Sequence, residues 1–271
     1  MSVVPVFLYH AVSDDPPPWL APFTVSPRTF TEHLDVIADN GLTVIPLRRL
    51  VTALLGGPPP PPRSAVLTFD DGYADFASTV APLLLDRGLA ATLYVTTGAP
   101  GGFGRPSGGG PFPYVAALSW RQVRELDAAG FEIGGHSKTH PQLDTLPQES
   151  VREEVAGCKR EIEDVLGHQV VSFAYPHGYS SGAVRARVRE AGWTSAAAIR
   201  AASAFSTQRD DPLMFARLMV RADTGRERFM RWTRGEGAPV APFAEGAATR
   251  GWRAYRRTRA AVGLPYRALR A

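Results

Sequence analysis

Three short stretches of this sequence hold side chains that can bind a metal ion, move a proton or hold a developing negative charge. The first, Thr68-Phe69-Asp70-Asp71-Gly72-Tyr73, sets two carboxylates side by side. Adjacent carboxylates repel unless something neutralises one of them, and a divalent cation does so. Gly72 lets the chain turn sharply just after them. The same pair also suits the cap of a following helix, where Asp is favoured. The second stretch, Gly134-Gly135-His136-Ser137-Lys138-Thr139-His140-Pro141, places two histidines four apart. That spacing turns both rings to one side of a helical turn. Two histidines and one carboxylate are a catalytic zinc set that leaves a position for water. A His-x-x-x-His alone is weak evidence, but the chain has only six histidines and two of them fall here. The third stretch is Phe173-Ala174-Tyr175-Pro176-His177-Gly178. Its Pro and Gly form a turn that can aim a backbone N–H at an oxyanion, or simply end a strand.

Each stretch must be delivered by something rigid. The β-branched and aromatic run Val3–Tyr9 reads as a buried strand ending at His10. Further strands are expected at Leu42–Ile45, Ala65–Phe69, Ala91–Val95, Phe131–Ile133 and Val170–Tyr175. Ser26-Pro27 looks like an N-cap followed by a first helical residue, with Phe30, Leu34 and Ile37 at helical spacing and Gly41 as the stop. Helices are also expected over Arg48–Leu55, Ala74–Asp86, Trp120–Ala128 (capped by Ser119) and Val184–Ala191. Val151, Val155, Cys158, Ile162 and Val165 mark one more by their apolar stripe. Five consecutive prolines before Arg63 make a stiff exposed connector, and the glycine-rich run from Gly98 to Pro113 reads as a surface loop at the mouth of a site. Strand and helix alternate, which implies a parallel sheet or a (β/α) barrel with its site at the carboxyl ends of the strands.

The bulk numbers suit such a domain. The chain has 271 residues, 44% of them hydrophobic and 21% charged, an ordinary globular composition. A single cysteine rules out an internal disulfide. No stretch approaches the about 20 apolar residues of a membrane span, and Met1 to His10 lacks the basic and apolar regions of a signal peptide. A cytoplasmic protein is therefore expected. The formal charge of +4 is unevenly placed: residues 1–216 carry 17 basic and 22 acidic side chains, and residues 217–271 carry 13 and 4.

Together the motifs TFDDGY at 68–73, HSKTH at 136–140 and FAYPHG at 173–178 resemble the polysaccharide deacetylase family, the NodB-homology domain of carbohydrate esterase family 4. Their order and spacing match, and the similarity runs over nearly the whole chain. FLYHAV at 7–12 and VSPRTF at 25–30 resemble the branch that contains exopolysaccharide deacetylases. The resemblance implies an α/β fold, a single distorted (β/α) barrel with about seven parallel strands. The deacetylase domain would cover 1–249, with its motif core at about 64–220, followed by a basic tail at 250–271.

Carried over residue by residue, the resemblance implies that Asp71, His136 and His140 bind a divalent metal. Zinc is expected first, with cobalt, nickel or manganese as alternatives. Asp70 would be the general base, and the backbone N–H near His177 would face the oxyanion, with Tyr175 and Pro176 shaping that wall. Two departures stand out. Many members supply the general acid from a histidine near the end of the domain, and no histidine follows His177 here. His10 is the candidate replacement, because the first strand of a closed barrel neighbours the last; it could equally be a hydrogen-bonded core histidine. Many relatives also carry an arginine where this chain has Ala174. Arg217, on a later strand, is the candidate to reach Asp70 and hold it ionised.

The remaining residues carry less. Tyr73 and Trp120 are candidates to stack on a sugar ring. His33 and His168 are read as surface histidines, and Cys158 and Trp193 as packing residues. The tail from Arg250 to Ala271 holds seven arginines and no acid, interspersed with Trp252, Tyr255 and Tyr266. It reads as a terminal helix covering the barrel. A peripheral contact with an anionic membrane at the inner face is also expected of it, and nucleic acid has only this tail to recommend it. The function expected is removal of the N-acetyl group from a sugar of a polysaccharide, glycan or lipid-linked glycan. A deformylase or other amidase would use the same metal site, and a catalytically silent carbohydrate-binding relative is the alternative of another class.

Overall fold

The computed structural model describes residues 3–98, 115–198, 211–241 and 247–264. The glycine-rich run expected to form a loop lies outside them except for Gly98. In chain order the strands are β1 (Val6–Tyr9), β2 (Ala11–Val12), β3 (Thr24–Val25), β4 (Thr43–Val44), β5 (Ser64–Phe69), β6 (Thr92–Val95), β7 (Glu132–Gly135), β8 (Ser172–Ala174), β9 (Ser195–Ala197) and β10 (Leu218–Met219). The helices are α1 (Pro27–Asp39), α2 (Leu47–Leu54), α3 (Ala81–Leu85), α4 (Trp120–Ala128), α5 (Gln148–Arg152), α6 (Cys158–Leu166), α7 (Gly182–Glu190), α8 (Arg226–Thr233) and α9 (Ala247–Ala261).

Seven parallel strands form one curled sheet in the order β10-β1-β5-β6-β7-β8-β9, and β4 pairs with the start of β5. All six residues of β5 are buried, as a parallel strand covered on both faces requires. The segment around β10 brings the two edges together. Leu218 and Met219 pair with Phe7 and Leu8 of β1, while Phe215 bridges Ala197 of β9. This is the distorted (β/α) barrel expected from the alternation, with the first strand beside the last.

The helix starts follow their sequence signals. Ser26 accepts from Thr29 N–H at the head of α1, with Pro27 as its first residue. Ser119 and Gln122 form a reciprocal capping box on α4. The stripe Val151, Val155, Cys158 and Ile162 is buried across α5 and α6, which a π-helical stretch at Glu153–Gly157 joins, whereas Val165 is only half-buried. Strand β7 comes so close to its neighbours that glycine is required. A Cβ on Gly135 would stand 2.6 Å from the Trp193 ring, and one on Gly134 would stand 2.6 Å from the Ser172 carbonyl oxygen. Residues 250–261 of the basic C-terminal segment are helical. They lie within α9, whose Arg256 is buried against Asp144. No helix among the described residues is long and apolar enough to cross a membrane.

One sequence expectation fails here. His33 is not a surface residue but is fully buried on the inner face of α1. Its Nε2–H donates to the Thr224 carbonyl at 2.9 Å, so Nδ1 is the acceptor for the Tyr9 hydroxyl at 3.0 Å. The ring stacks on Phe229 at 4.1 Å. Helical spacing put His33 beside Leu34 and Ile37, and only the docking of α8 onto α1 shows that this position is covered. Burial pushes its imidazole down to about 4, against the pull of the Thr224 carbonyl and Glu32. Because the neutral form is the folded one, the unfolded chain takes up the proton first, near the ordinary histidine value of about 6.5. Stability should therefore hold above pH 6.5 and fall as the pH drops towards 4, by on the order of 3 kcal/mol from this residue. Urea unfolding at stepped pH should show this slope in the wild type and a flatter one in His33→Gln; equal slopes in the two proteins would contradict the assignment.

Candidate active site

The three motifs meet at the carboxyl end of the barrel. Asp70 and Asp71 follow β5, His136 follows β7, and His177 lies on the turn after β8. Asp70 and Asp71 are 2% and 4% exposed and His136 is 2% exposed, so the charges here are shielded from water.

Asp71, His136 and His140 bring one ligand atom each to within 4.8 Å of one another. Nε2 of His136 and Nε2 of His140 both stand 3.3 Å from the same oxygen, Oδ1 of Asp71. Ligand atoms 2.0–2.1 Å from one ion at the tetrahedral angle are about 3.3 Å apart, so the spacing suits a zinc-like ion. His136 donates its Nδ1–H to the Ala174 carbonyl at 2.8 Å, which leaves the Nε2 lone pair directed at the site. That Asp71 oxygen is buried with no hydrogen-bond partner, as expected of an atom kept for a cation. Burial disfavours the charged form of Asp71, but His140 and His136 outweigh it and hold the carboxyl below the usual range. Burial pushes the His140 imidazole well down, which keeps it neutral as a ligand must be.

The two histidines do not share a helical turn, as their spacing suggested. Ser137 and His140 have φ of 64° and 59°, which no helix allows, and the segment is a compact loop. Glu154, from the π-helical stretch, holds it: its Oε2 accepts from Lys138 N–H at 2.8 Å and Thr139 N–H at 2.9 Å. The carbonyls that a helical turn would use are taken instead by the chain after β6, where the N–H groups of Thr97 and Gly98 donate to Ser137 and Lys138. Four of the five non-glycine residues with positive φ among those described, Asp71, Ser137, His140 and His177, lie at this site. Such residues cost about 1–3 kcal/mol each and gather where function requires them.

Asp70 has a different partner. Arg217 meets it in a bidentate pair, with Nη1 to Oδ1 at 2.7 Å and Nη2 to Oδ2 at 2.8 Å, and is itself 1% exposed. The guanidinium also reaches the Thr68 hydroxyl at 3.2 Å and lies 5.6 Å from the Tyr94 ring. The Asp70 Oδ2 atom is 3.8 Å from His136 Nε2, so the carboxylate sits between the arginine and the three possible ligands. Arg217, one residue before β10, thus meets Asp70 from another strand of the barrel.

His10 lies at the end of β1, half-buried, with its ring 5.3 Å from Phe23. Its Nδ1 is buried without a hydrogen-bond partner, so this atom is not tied up in the core. Burial lowers its basicity, opposed by the nearby charges of Asp71 and Asp70. His177 is exposed, with its ring 4.5 Å from that of His140 and 6.0 Å from Tyr179. Of the residues expected to line the substrate side, three are buried. Tyr73 is 2% exposed and Tyr175 0%, with the Tyr175 hydroxyl donating to the Leu213 carbonyl, and Pro176 is also buried. With their rings buried, Tyr73 and Tyr175 expose no face for a sugar to stack on. Trp120 is half-buried in the first turn of α4. Cys158 is a core residue, its thiol pushed up to about 12 by burial.

A family model described as polysaccharide deacetylase matches residues 57–196. The chain belongs to the polysaccharide deacetylase family. YxkH of Bacillus subtilis (strain 168) is 23% identical over 175 residues, which are 65% of this chain and 57% of that protein. This polysaccharide deacetylase family member therefore spans little more than half the length of that relative. Among solved structures, the Streptococcus pyogenes deacetylase PplD in complex with acetate superposes with a TM-score of 0.75 at 20% identity, covering 87% of this chain and 99% of that one. IcaB from Ammonifex degensii superposes with a TM-score of 0.73 at 21% identity, covering 86% and 97%. At these identities the likeness is one of fold.

Removing one partner from a buried ion pair leaves an uncompensated charge. Arg217→Ala in this polysaccharide deacetylase family member is therefore expected to cost about 3–5 kcal/mol, measured by urea unfolding. The double variant with Asp70→Ala should recover part of the loss, and a coupling energy near zero across the cycle would show that the pair does not interact.

Proposed function

We propose that this protein is a divalent-metal-dependent N-deacetylase acting on an N-acetylated sugar of a polysaccharide, glycan or lipid-linked glycan. The observation that carries the reading is the division of labour between two adjacent carboxylates. Asp71 faces two histidine nitrogens at 3.3 Å, and Asp70 faces Arg217. One carboxylate is thereby set up as a ligand and the other as a base beside it. Family membership supports the deacetylase chemistry, and the position of these residues at the carboxyl ends of the strands, where such barrels carry their sites, supports the reading.

An ion held by Asp71, His136 and His140, with Zn²⁺ expected ahead of Co²⁺, Ni²⁺ or Mn²⁺, would polarise the amide carbonyl and acidify a water molecule. Asp70 accepts the proton of the attacking water through the carboxylate lone pairs that Arg217 leaves free. The bidentate grip of Arg217 fixes the plane of that carboxylate, so its basic edge is aimed before substrate arrives. His10, across the site at the end of β1, is the candidate to protonate the leaving amine nitrogen. The turn that carries His177 beside His140 is the wall against which the oxyanion would lie.

Acetate release from N-acetylglucosamine oligomers and lipid-linked N-acetyl sugars tests this reading, with and without added Zn²⁺. The wild type should require the ion, and Asp70→Asn should lose about 10²–10⁴-fold in rate while still binding Zn²⁺. Unchanged turnover in Asp70→Asn would remove Asp70 from the mechanism. Formate in place of acetate from N-formyl and N-acetyl analogues offered together would redirect the reading to a deformylase.

A further inference from the structure

The buried charges of this protein are not confined to the site. A second bidentate pair lies behind it, between Arg256 of α9 and Asp144, with Nη1 to Oδ1 at 2.7 Å and Nη2 to Oδ2 at 2.8 Å. The two side chains are 2% and 0% exposed. Arg256 also donates to Gln142 Oε1 at 3.1 Å, and its guanidinium lies 3.6 Å over the Tyr179 ring. Neighbouring residues of α9 reinforce the contact. Arg257 donates to the Asp144 carbonyl at 3.1 Å, and Trp252 Nε1–H donates to the Tyr179 hydroxyl at 2.9 Å.

The positions of these partners matter more than their number. Asp144 follows His140 by four residues, on the 3₁₀ turn Leu143–Thr145. Tyr179 follows His177 by two residues, and the rings of His177 and Tyr179 stack. One guanidinium thus holds the loop leaving a candidate metal ligand and the loop leaving the candidate oxyanion wall. Those loops carry His140 and His177, which both sit on positive-φ backbone beyond the ends of their strands and so depend on contacts from outside their own segments. A planar guanidinium suits the task, pairing with a carboxylate in its plane and stacking on an aromatic ring through its face. A lysine can do neither.

We propose that Arg256 is a positioning residue for the metal centre, and that the C-terminal helix acts through it to hold His140 and His177 in register with Asp71. The proposal rests on the reading of Asp71, His136 and His140 as metal ligands. Direct hydrogen-bond partners of metal ligands tune affinity by about 10–100-fold, and Arg256 acts one step further out. Arg256→Ala should therefore weaken binding on the order of tenfold or somewhat less, and Arg256→Lys should not restore it.

The experiment is Zn²⁺ affinity of the full chain, read by competition with a chromogenic chelator and needing no substrate, together with thermal unfolding of the metal-free protein. Arg256→Ala should raise the Zn²⁺ Kd and shrink the Zn²⁺-induced rise in Tm. Asp144→Asn, which keeps the shape and removes the charge, should move both in the same direction and stands in if Arg256→Ala does not fold. The exposed Arg250→Ala serves as the control and should match the wild type. A purely structural clamp would lower the Tm of the metal-free protein and leave the Zn²⁺ Kd within twofold of wild type, and that result overturns the proposal. A wild type that binds no Zn²⁺, Co²⁺, Ni²⁺ or Mn²⁺ overturns the metal reading and this proposal with it, whereas intact metal binding without deacetylation would leave the clamp standing.

Discussion

Two carboxylates at the end of one buried strand cannot both be charged without help, and the architecture of this protein answers that need from opposite sides. Asp70 and Asp71 are almost completely shielded from water, where each unpaired ion costs several kcal/mol. Arg217 comes to Asp70 from just before β10, 147 residues on in the chain, and His136 and His140 come to Asp71 from the loop after β7. Strand β1 has to lie between β10 and β5 for the arginine to arrive. Closure of the sheet and neutralisation of the site are therefore one arrangement. A different strand order would leave Asp70 buried and unpaired.

The same demand explains why the backbone is strained where it is. A strand alternates its side chains, so neighbours such as Asp70 and Asp71 would ordinarily point to opposite faces. Asp71 escapes by taking φ 75°, followed by Gly72 at φ 80°. The left-handed step turns the second carboxyl towards the histidines while the first keeps the direction of its strand. Ser137, His140 and His177 make comparable steps, and each is held by contacts from outside its own segment. Glu154 supports the His140 loop from one side and the Arg256–Asp144 pair from the other. Buried charge pairs are poor sources of net stability, but they specify geometry when every lone pair is matched. This protein has two, Asp70–Arg217 and Asp144–Arg256, bidentate through both Nη atoms, with Nε of each arginine buried and without a hydrogen-bond partner.

Much of the site was legible because its chemistry is local. TFDDGY and HSKTH name a base, an acidic ligand and two histidines in eleven residues between them, and their adjacency to strand ends follows from hydrophobic runs just before them. Arg217 could be singled out only by asking what would stand in for the arginine missing at Ala174. Glu154, Asp144, Tyr179 and Arg256 carried no such signal. Glu154 lies in a helix whose pattern marks only its apolar face, and Arg256 is one of seven arginines in a tail that reads as uniformly basic. Tyr73, Tyr175 and Pro176 were legible as neighbours of the motifs but not as buried ones, since a turn sequence does not reveal which way its side chains face.

The amino-acid sequence by itself determined the strand–helix alternation, the family and the residues able to hold a metal, because strand and helix periods, caps and short motifs are encoded within a few residues of one another, whereas the short β2, β3, β9 and β10 and helix α8 carried no such signal. Tertiary structure alone decided which charges meet. It buried His33 under α8, drew Arg217 to Asp70 across 147 residues, and drew Arg256 to Asp144 across 112. Pairings at such separations depend on how the sheet curls and where the last helix lands, and those are properties of the packed whole, which no local pattern carries.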